Sequence, residues 1–170
     1  SRGIAEARGG QRGPENVWGS AATGCSLALL SCFWPNFLNL FMVGFASSFS
    51  AKLSDTFSSE IGKRFGKRTF LITTLKPVAP GTEGAISIEG SIAGLLGSFV
   101  MTAFMLNLSI ISGLSVAFIV FFSGYLATFL ESYIGAVVQD KIEWMSNELV
   151  NFIQTSIAAI ISIFLYLNFI

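Results

Sequence analysis

Apolar residues fill long stretches of this sequence, and charged residues are almost confined to the segments between them. Of the 170 residues, 52% are hydrophobic and only 12% are charged, with a mean hydropathy of +0.69. A soluble domain of this size carries more charge, whereas a helix that crosses a bilayer needs about 20 predominantly apolar residues. These values predict an integral membrane protein.

The apolar stretches predict an all-α fold, a polytopic transmembrane helix bundle of about five spans that forms a single integral membrane domain over residues 1–170. Pro35-Asn36 and Ser112-Gly113 interrupt the pattern and mark turns. The predicted helices cover residues 17–34, 37–61, 91–111, 113–138 and 149–170.

Three polar segments fall on one side of such a bundle: an N-terminal loop at 1–16, a motif-bearing loop at 62–90 and a segment at 139–148. The connections on the opposite side carry no charge. Because Lys and Arg are in excess in residues 63–76, the positive-inside rule predicts that this face meets the cytosol or the plastid stroma.

Composition also excludes several kinds of chemistry. The chain has no histidine, so imidazole acid–base catalysis, Ser-His-Asp triads and histidine metal sites are excluded. Ten basic and ten acidic residues cancel, which gives no electrostatic argument for nucleic acid, and the expected partners are membrane lipids. Cys25 and Cys32 are expected to be small core residues.

Two carboxylates crowd the end of the second predicted helix. A carboxylate is costly in hydrocarbon, so Asp55 and Glu60 indicate a functional site. They lie five residues apart, about 140° around a helix axis, so an undistorted helix does not easily bring both to one ion. One is expected to face a metal while the other orients a base or a basic partner, unless the helix unwinds near Gly62. In the simpler alternative, Lys52 and Lys63 merely neutralise an interfacial pair.

Further carboxylates reach the same face from later in the chain. Glu83 and Glu89 precede the third predicted span, and Glu131 lies deep in the fourth, where Lys52, Lys76 or a metal could be its partner. Oxygen ligands without histidine or cysteine favour Mg²⁺ over zinc, and Mg²⁺ usually takes one or two carboxylates together with phosphate and water. The candidate metal ligands are Asp55, Glu60, Glu89 and Glu131.

Phosphate-binding groups follow the acidic helix end. Lys63 and Arg64 lie nearest to it and are the preferred phosphate ligands, whereas Lys67 and Arg68 are interpreted as an anchor at lipid headgroups. The later stretch LKPVAPGTEG contains two prolines that stiffen it and two glycines that let backbone amides approach a ligand. It lacks the GxxxxGK[ST] order of a Walker motif.

Smaller polar and glycine patterns occur within the helices. Gly94 and Gly97, with Ser91 and Ser98, predict a surface for close helix packing. Asn147 and Asn151, four residues apart, are interpreted as helix-entry or interhelix hydrogen-bonding groups.

Four stretches resemble the transmembrane-protein-19-like family, which includes the phytyl-phosphate kinases of plants and cyanobacteria: AEARGGQRGPENVWGSAATG, SDTFSSEIGKRFGKRTFLITTLKPVAPGTEGAISIEGSIAG, ESYIGAVVQ and NELVNFIQT. The resemblance runs along nearly the whole chain. It implies transfer of a phosphoryl group from CTP, with Mg²⁺, to phytyl phosphate or a similar prenyl phosphate. The product, phytyl diphosphate, serves tocopherol and phylloquinone synthesis.

The resemblance also implies a place in the chloroplast envelope or a cyanobacterial membrane. Family members carry further N-terminal membrane helices, so we expect an N-terminally incomplete chain. Glu131-Ser132 departs from the family, where Asp-Ser is expected more often, but the charge is kept. The expected catalytic residues are Asp55, Glu60, Lys76 and Glu83. The expected nucleotide-binding residues are Lys63, Arg64, Lys76, Gly81, Thr82 and Gly84.

Two alternatives remain at the level of sequence. The order of Asp-Thr, Gly-Lys, Lys-Pro and Glu-Gly also resembles, distantly, CDP-diacylglycerol synthase, phytol kinase and dolichol kinase. A related CTP-dependent lipid-alcohol kinase or cytidylyltransferase could therefore use the same residues. The other alternative is a non-catalytic membrane carrier or assembly subunit.

Overall fold

The computed structural model describes residues 13–138, 142 and 144–170, which fold mainly as α-helices. The described helices are α1 (Pro14–Phe33), α2 (Leu38–Phe65), α3 (Ile88–Asn107), α4 (Leu114–Val137) and α5 (Asn147–Phe169), with a short 3-10 turn at Pro35–Phe37. The predicted all-α membrane bundle is confirmed. One small addition is an antiparallel pair of strands, β1 (Phe70–Leu71) and β2 (Ala85–Ile86), between α2 and α3.

In the described part of the chain, three helices are long and apolar enough to cross a membrane, namely α3, α4 and α5. About five spans were expected. Every stretch of 18 residues within the second helix includes Lys52 and Asp55. These charges lower its hydropathy, together with serines such as Ser47, Ser50 and Ser54, which are completely buried against other helices. Hydroxyl groups lower the hydropathy of a helix without exposing it to lipid, because neighbouring helices cover them.

The helix ends differ from the predicted boundaries by a few residues. α1 already begins at Pro14, a favoured residue for a first helical turn, so the predicted loop at 1–16 ends earlier; residues 1–12 lie outside the described part. α2 continues to Phe65, and α3 begins after Ser87, whose Oγ accepts a hydrogen bond from the Gly90 amide at 3.0 Å. The connection is therefore shorter than the predicted 62–90 loop.

The centre of the bundle is α2, which contacts each of the other four described helices. Its approach to α3 is close because glycines face it, as the sequence predicted for Gly94 and Gly97. A β-carbon on Gly97 would lie 2.7 Å from the Leu53 carbonyl oxygen, and one on Gly94 would lie 3.2 Å from the Ser58 β-carbon. Larger side chains would force the two helices apart.

Hydroxyl groups link the helices inside the bundle. Ser98 Oγ donates to the Phe121 carbonyl at 2.7 Å and lies 2.8 Å from Ser50 Oγ, so one side chain joins α2, α3 and α4. Thr23 Oγ1 similarly lies 2.9 Å from Thr155 Oγ1 and joins α1 to α5. These bonds position the helices whose ends form the site described below.

The apolar core occupies the other half of the bundle, around Val43, Met105 and Val120. Large apolar side chains such as Phe99 and Phe118 are exposed on the outside, as expected for a surface that meets lipid. Cys25 and Cys32 are also exposed, so the expectation that they belong to the core was wrong. The face of α1 that packs inward instead carries Gly19, Thr23 and Gly24.

Candidate functional site

A polar cavity of about 170 Å³ lies at the end of the bundle where the charged residues gather. The start of α1, the last turns of α2, the connection before α3, the last turns of α4 and the start of α5 all contribute to its lining. The polar helix ends that the sequence assigned to one face thus enclose a common space. Its described charged side chains are Lys52, Asp55, Lys63, Glu83 and Glu131.

Lys52 connects two walls of the cavity. Its Nζ donates to Asp55 Oδ2 at 2.8 Å and to Asn151 Oδ1, also at 2.8 Å. Lys52 and Asp55 lie on the same face of α2, one turn apart, and Asn151 lies on α5. The two charged side chains are only 18% and 13% exposed, so water screens this ion pair less than one on an open surface.

Glu131 brings a second carboxylate from α4. It interacts electrostatically with Asp55 and Glu83, which repel it, and with Lys52, which attracts it. Of the partners considered from the sequence, the described structure therefore favours Lys52 over Lys76, which is exposed and does not line the cavity. The neighbouring Ser132 hydroxyl donates to Glu131 Oε2 at 3.4 Å.

The connection between α2 and α3 closes one side of the cavity and is held by its own backbone. Phe70 pairs with Ile86 across the two strands, and the Ile72 amide donates to the Gly84 carbonyl at 3.0 Å. The buried Thr69 hydroxyl donates to the Val78 carbonyl at 2.5 Å. These bonds fix Gly81, Thr82, Glu83 and Gly84 beside the ends of α2 and α4.

Seven of the residues predicted from the sequence line the cavity: Asp55, Lys63, Gly81, Thr82, Glu83, Gly84 and Glu131. The structure places four others outside the described lining: Glu60, Arg64, Lys76 and Glu89. Their expected roles at the site gain no support from this geometry.

Helix geometry explains two of these four positions. Glu60 and Arg64 are exposed on a different face of α2 from Asp55, as the angular separation of Asp55 and Glu60 predicted. The Arg64 guanidinium lies 5.6 Å from the centre of the Phe65 ring. Glu89 lies in the first turn of α3, next to the cap residue Ser87, which itself lines the cavity.

The structure adds polar residues that the sequence did not assign to the site. Asn147 and Asn151 share one face of α5 and both line the cavity, and Asn16 and Ser20 do so from α1. In each pair the two residues are four positions apart, which places both on one face of a helix. This spacing could have indicated from the sequence that they share a site. Lys52, considered only as a neutralising partner, is a central group of the site.

A divalent cation such as Mg²⁺ needs oxygen ligands from the protein, from phosphate or from water. Among the described residues, no group of three or more carboxylate or thiolate side chains is placed to hold a metal ion. Asp55 and Glu131 nevertheless supply two hard oxygen donors, which is as many as Mg²⁺ usually takes when phosphate and water complete its shell. A cation, the Lys52 ammonium, already binds one of these carboxylates. The residues therefore fit Mg²⁺ in the presence of a phosphate ligand.

Comparisons with known proteins agree with a membrane bundle. The family model described as integral membrane protein DUF92 matches residues 1–159. An uncharacterized membrane protein of Synechocystis sp. is 49% identical over 162 residues, covering 95% of this chain and 62% of that protein. The chloroplastic protein VTE6 of Arabidopsis thaliana is 47% identical over 168 residues, covering 96% of this chain and 50% of that protein.

A more distant relative is an uncharacterized membrane protein of Methanocaldococcus jannaschii. It is 33% identical over 155 residues, covering 91% of this chain and 63% of that protein. The chain thus spans between half and two thirds of the length of these relatives. No solved structure matches the chain.

Proposed function

Because the chain belongs to the DUF92 family of integral membrane proteins, we propose that it forms the phosphate-binding part of a membrane prenyl-phosphate kinase. The reaction transfers a phosphoryl group from a nucleoside triphosphate, preferably CTP, to phytyl phosphate or a similar prenyl phosphate. The observation that carries the proposal is the cavity itself, where two lysines of α2 meet carboxylates from α2, α4 and the connection before α3 at the polar end of an apolar bundle. The chloroplastic and cyanobacterial relatives support a chloroplast or cyanobacterial membrane as its location.

The proposed step needs little covalent help from the protein. A phosphate oxygen of phytyl phosphate attacks the γ-phosphorus, a new P–O bond forms, and the bond from the γ-phosphorus to the bridging oxygen breaks and releases the nucleoside diphosphate. The attacking oxygen is already ionised, so a strong base is unnecessary and the lack of histidine is no obstacle. Positioning and neutralisation of charge account for most of the catalysis in phosphoryl transfer.

The described residues divide these tasks. Lys63 supplies positive charge to the phosphates, and the Gly81 and Gly84 amides donate hydrogen bonds. The Thr82 hydroxyl and amide both donate to the Ala79 carbonyl, at 2.8 Å and 3.2 Å, so Thr82 contacts a phosphate only if these bonds break. Asp55 and Glu131 would hold Mg²⁺, which when bound adds charge neutralisation and orients the phosphate oxygens.

The location of the cavity suits a substrate with a charged head and an apolar tail. Its walls are polar helix ends, whereas the outer surfaces of α3 and α4 expose Phe99, Phe118 and Phe122. The phosphate of the substrate would lie in the cavity while its prenyl chain stays among these apolar helices or in lipid.

An acceptor assay tests this function. Membranes that contain the full-length protein would be given phytol, phytyl phosphate or phosphatidate, each with CTP, ATP, GTP or UTP. We expect phytyl diphosphate from phytyl phosphate, with CTP as the preferred donor. Phosphorylation of phytol would instead identify a lipid-alcohol kinase, and a CDP-linked lipid would identify a cytidylyltransferase. Failure of every combination, together with no nucleotide binding, would support a non-catalytic carrier or assembly subunit.

A further inference from the structure

Lys52 makes contacts that a simple phosphate-binding role does not require. Its ammonium group is held between Asp55 and Asn151, at 2.8 Å from an oxygen of each. Its side chain is only 18% exposed, and two of its three N–H groups are used by these bonds. A lysine whose only role is to bind phosphate could extend into the cavity. Lys52 is instead bound to Asp55, a carboxylate that the proposed function assigns to the metal.

The surrounding charges explain why a cation is held there. Asp55 and Glu131 repel one another, and Glu83 adds to the repulsion at Glu131, while Lys52 attracts Glu131 as well as Asp55. The described lining has three carboxyl groups and two ammonium groups. Removing Lys52 would take away the ammonium group that Asp55 contacts at 2.8 Å.

We propose that Lys52 is a built-in competitor of the divalent cation: it occupies Asp55 until the ion binds, and then turns to the phosphates. The inference rests on the proposed function, because it assumes that Asp55 is a metal ligand. A magnesium ion contacts its oxygen ligands at about 2.0–2.1 Å. An ammonium group 2.8 Å from the same oxygen would lie within about 5 Å of that ion, so the two like charges would oppose each other.

The displaced Lys52 can bind a phosphate group. Its four-carbon stem is flexible and its ammonium is a compact charge, so it can reach a phosphate group placed in the same cavity. The triphosphate therefore supplies a new partner for Lys52 at the moment when the ion takes Asp55. Ion and triphosphate would therefore bind cooperatively. The triphosphate gives the displaced ammonium group a new partner, and the ion frees that ammonium group to contact the triphosphate.

Binding of Mn²⁺ to the full-length protein in detergent tests this competition. Free Mn²⁺ would be measured by electron paramagnetic resonance for the unmodified protein, Lys52→Met and Lys63→Met. We expect Lys52→Met to bind Mn²⁺ about tenfold more tightly, since its competitor is gone. Lys63→Met is the matched control because it removes the same charge from the same cavity, and we expect a change of less than about threefold.

A second variant keeps the net charge. Asn151→Leu removes one of the two groups that hold the ammonium, so Lys52 competes less well and Mn²⁺ is expected to bind more tightly, by about threefold. Thermal unfolding with and without saturating Mn²⁺ verifies that each variant is folded. The ion should raise the melting temperature of Lys52→Met more than that of the unmodified protein.

The possible results separate the inference from the function it rests on. Weaker or unchanged Mn²⁺ binding by Lys52→Met would overturn the competition and leave the metal site standing. Equal tightening in Lys63→Met would also overturn it, because net charge alone would then explain the effect. If Mn²⁺ binds none of the proteins, either alone or together with inorganic phosphate, both the competition and the proposed metal site are wrong.

Discussion

Gly84 lies directly against Ala136 of α4, and a β-carbon on the glycine would come within 2.6 Å of the Ser132 carbonyl oxygen. Its φ of +72° is in the left-handed region, which favours glycine. Gly81 has a φ of +88°, yet no atom of the described residues lies within 4 Å of where its β-carbon would be. One glycine thus allows the connection to dock on α4, while the other only permits a turn.

Alanine substitutions at Gly84 and Gly81 distinguish the contact with α4 from the effect of backbone conformation. Gly84→Ala is expected to push the connection away from α4 and to lower kcat/KM for CTP about tenfold, because the hydrogen-bond donors move from the phosphates. Gly81→Ala is the control, because it destabilises the left-handed backbone conformation by a comparable amount, about 1 kcal/mol, without a steric clash. Equal losses in both variants would show that backbone strain, and not the contact with α4, sets the effect.

Thr69 is expected to stabilise the connection that carries the glycines. Replacing it with valine leaves the Val78 carbonyl without the hydroxyl that it now accepts from, at a cost of about 1–3 kcal/mol. Hydrogen exchange at the Leu71 and Ile72 amides should therefore become faster. Thr73→Val, at an exposed position of the same connection, should leave both amides as protected as before.

The contact between α2 and α3 predicts a sensitive glycine inside the membrane. A β-carbon on Gly97 would lie 2.7 Å from a backbone oxygen, which cannot move aside as a flexible side chain would. Gly97→Ala is expected to destabilise the protein by about 1–3 kcal/mol in thermal unfolding. Leu96→Ala, at a residue 54% exposed on the same helix, is the control and should matter less. A larger loss for Leu96→Ala would argue against close packing at Gly97.

Ser98 should contribute more to stability than Ser91, the other serine of α3, because it bonds to two further helices. Hydrogen bonds between membrane helices contribute about 0.6 kcal/mol on average and up to about 1.7 kcal/mol, so Ser98→Ala should cost an amount in this range. The hydroxyl of Ser91 donates only to the Ser87 carbonyl next to its own helix, and Ser91→Ala is the matched control. Indistinguishable unfolding of the two variants would exclude a special role for Ser98.

The sequence predicted that the polar helix ends lie together, because charged side chains are costly in the hydrocarbon of a bilayer. Once the apolar stretches were recognised, the charged segments had to share a face, and Asp55, Lys63, Glu83 and Glu131 do line one cavity. Helical spacing also separated Asp55 from Glu60 correctly. These inferences needed only the period of a helix and the cost of charge in hydrocarbon.

The position of Lys76 and the contact of Lys52 with Asn151 depend on tertiary contacts, which local sequence patterns do not predict. Lys76 was expected at the site by its position among prolines and glycines, but its carbonyl accepts from the Leu71 amide at 3.0 Å and its side chain is exposed. Lys52 and Asn151 come together although 99 positions separate them, and only packing of α2 on α5 decides this contact. Periodicity assigns a residue to a face of its own helix, whereas the partner of that face follows from tertiary packing.

The most direct measurement is phosphoryl transfer from CTP to phytyl phosphate by the full-length protein with Asp55→Asn, compared with Glu60→Gln. Both changes remove one carboxylate from α2, but only Asp55 lines the cavity among the residues described. Asp55→Asn is expected to lower kcat/KM by about a hundredfold or more, since it weakens binding of the Mg²⁺ that would neutralise the transferred phosphate. Glu60→Gln should stay within about threefold of the unmodified protein, because its exposed charge is screened. Near-normal transfer by Asp55→Asn would contradict the site, as would an equally large loss in Glu60→Gln.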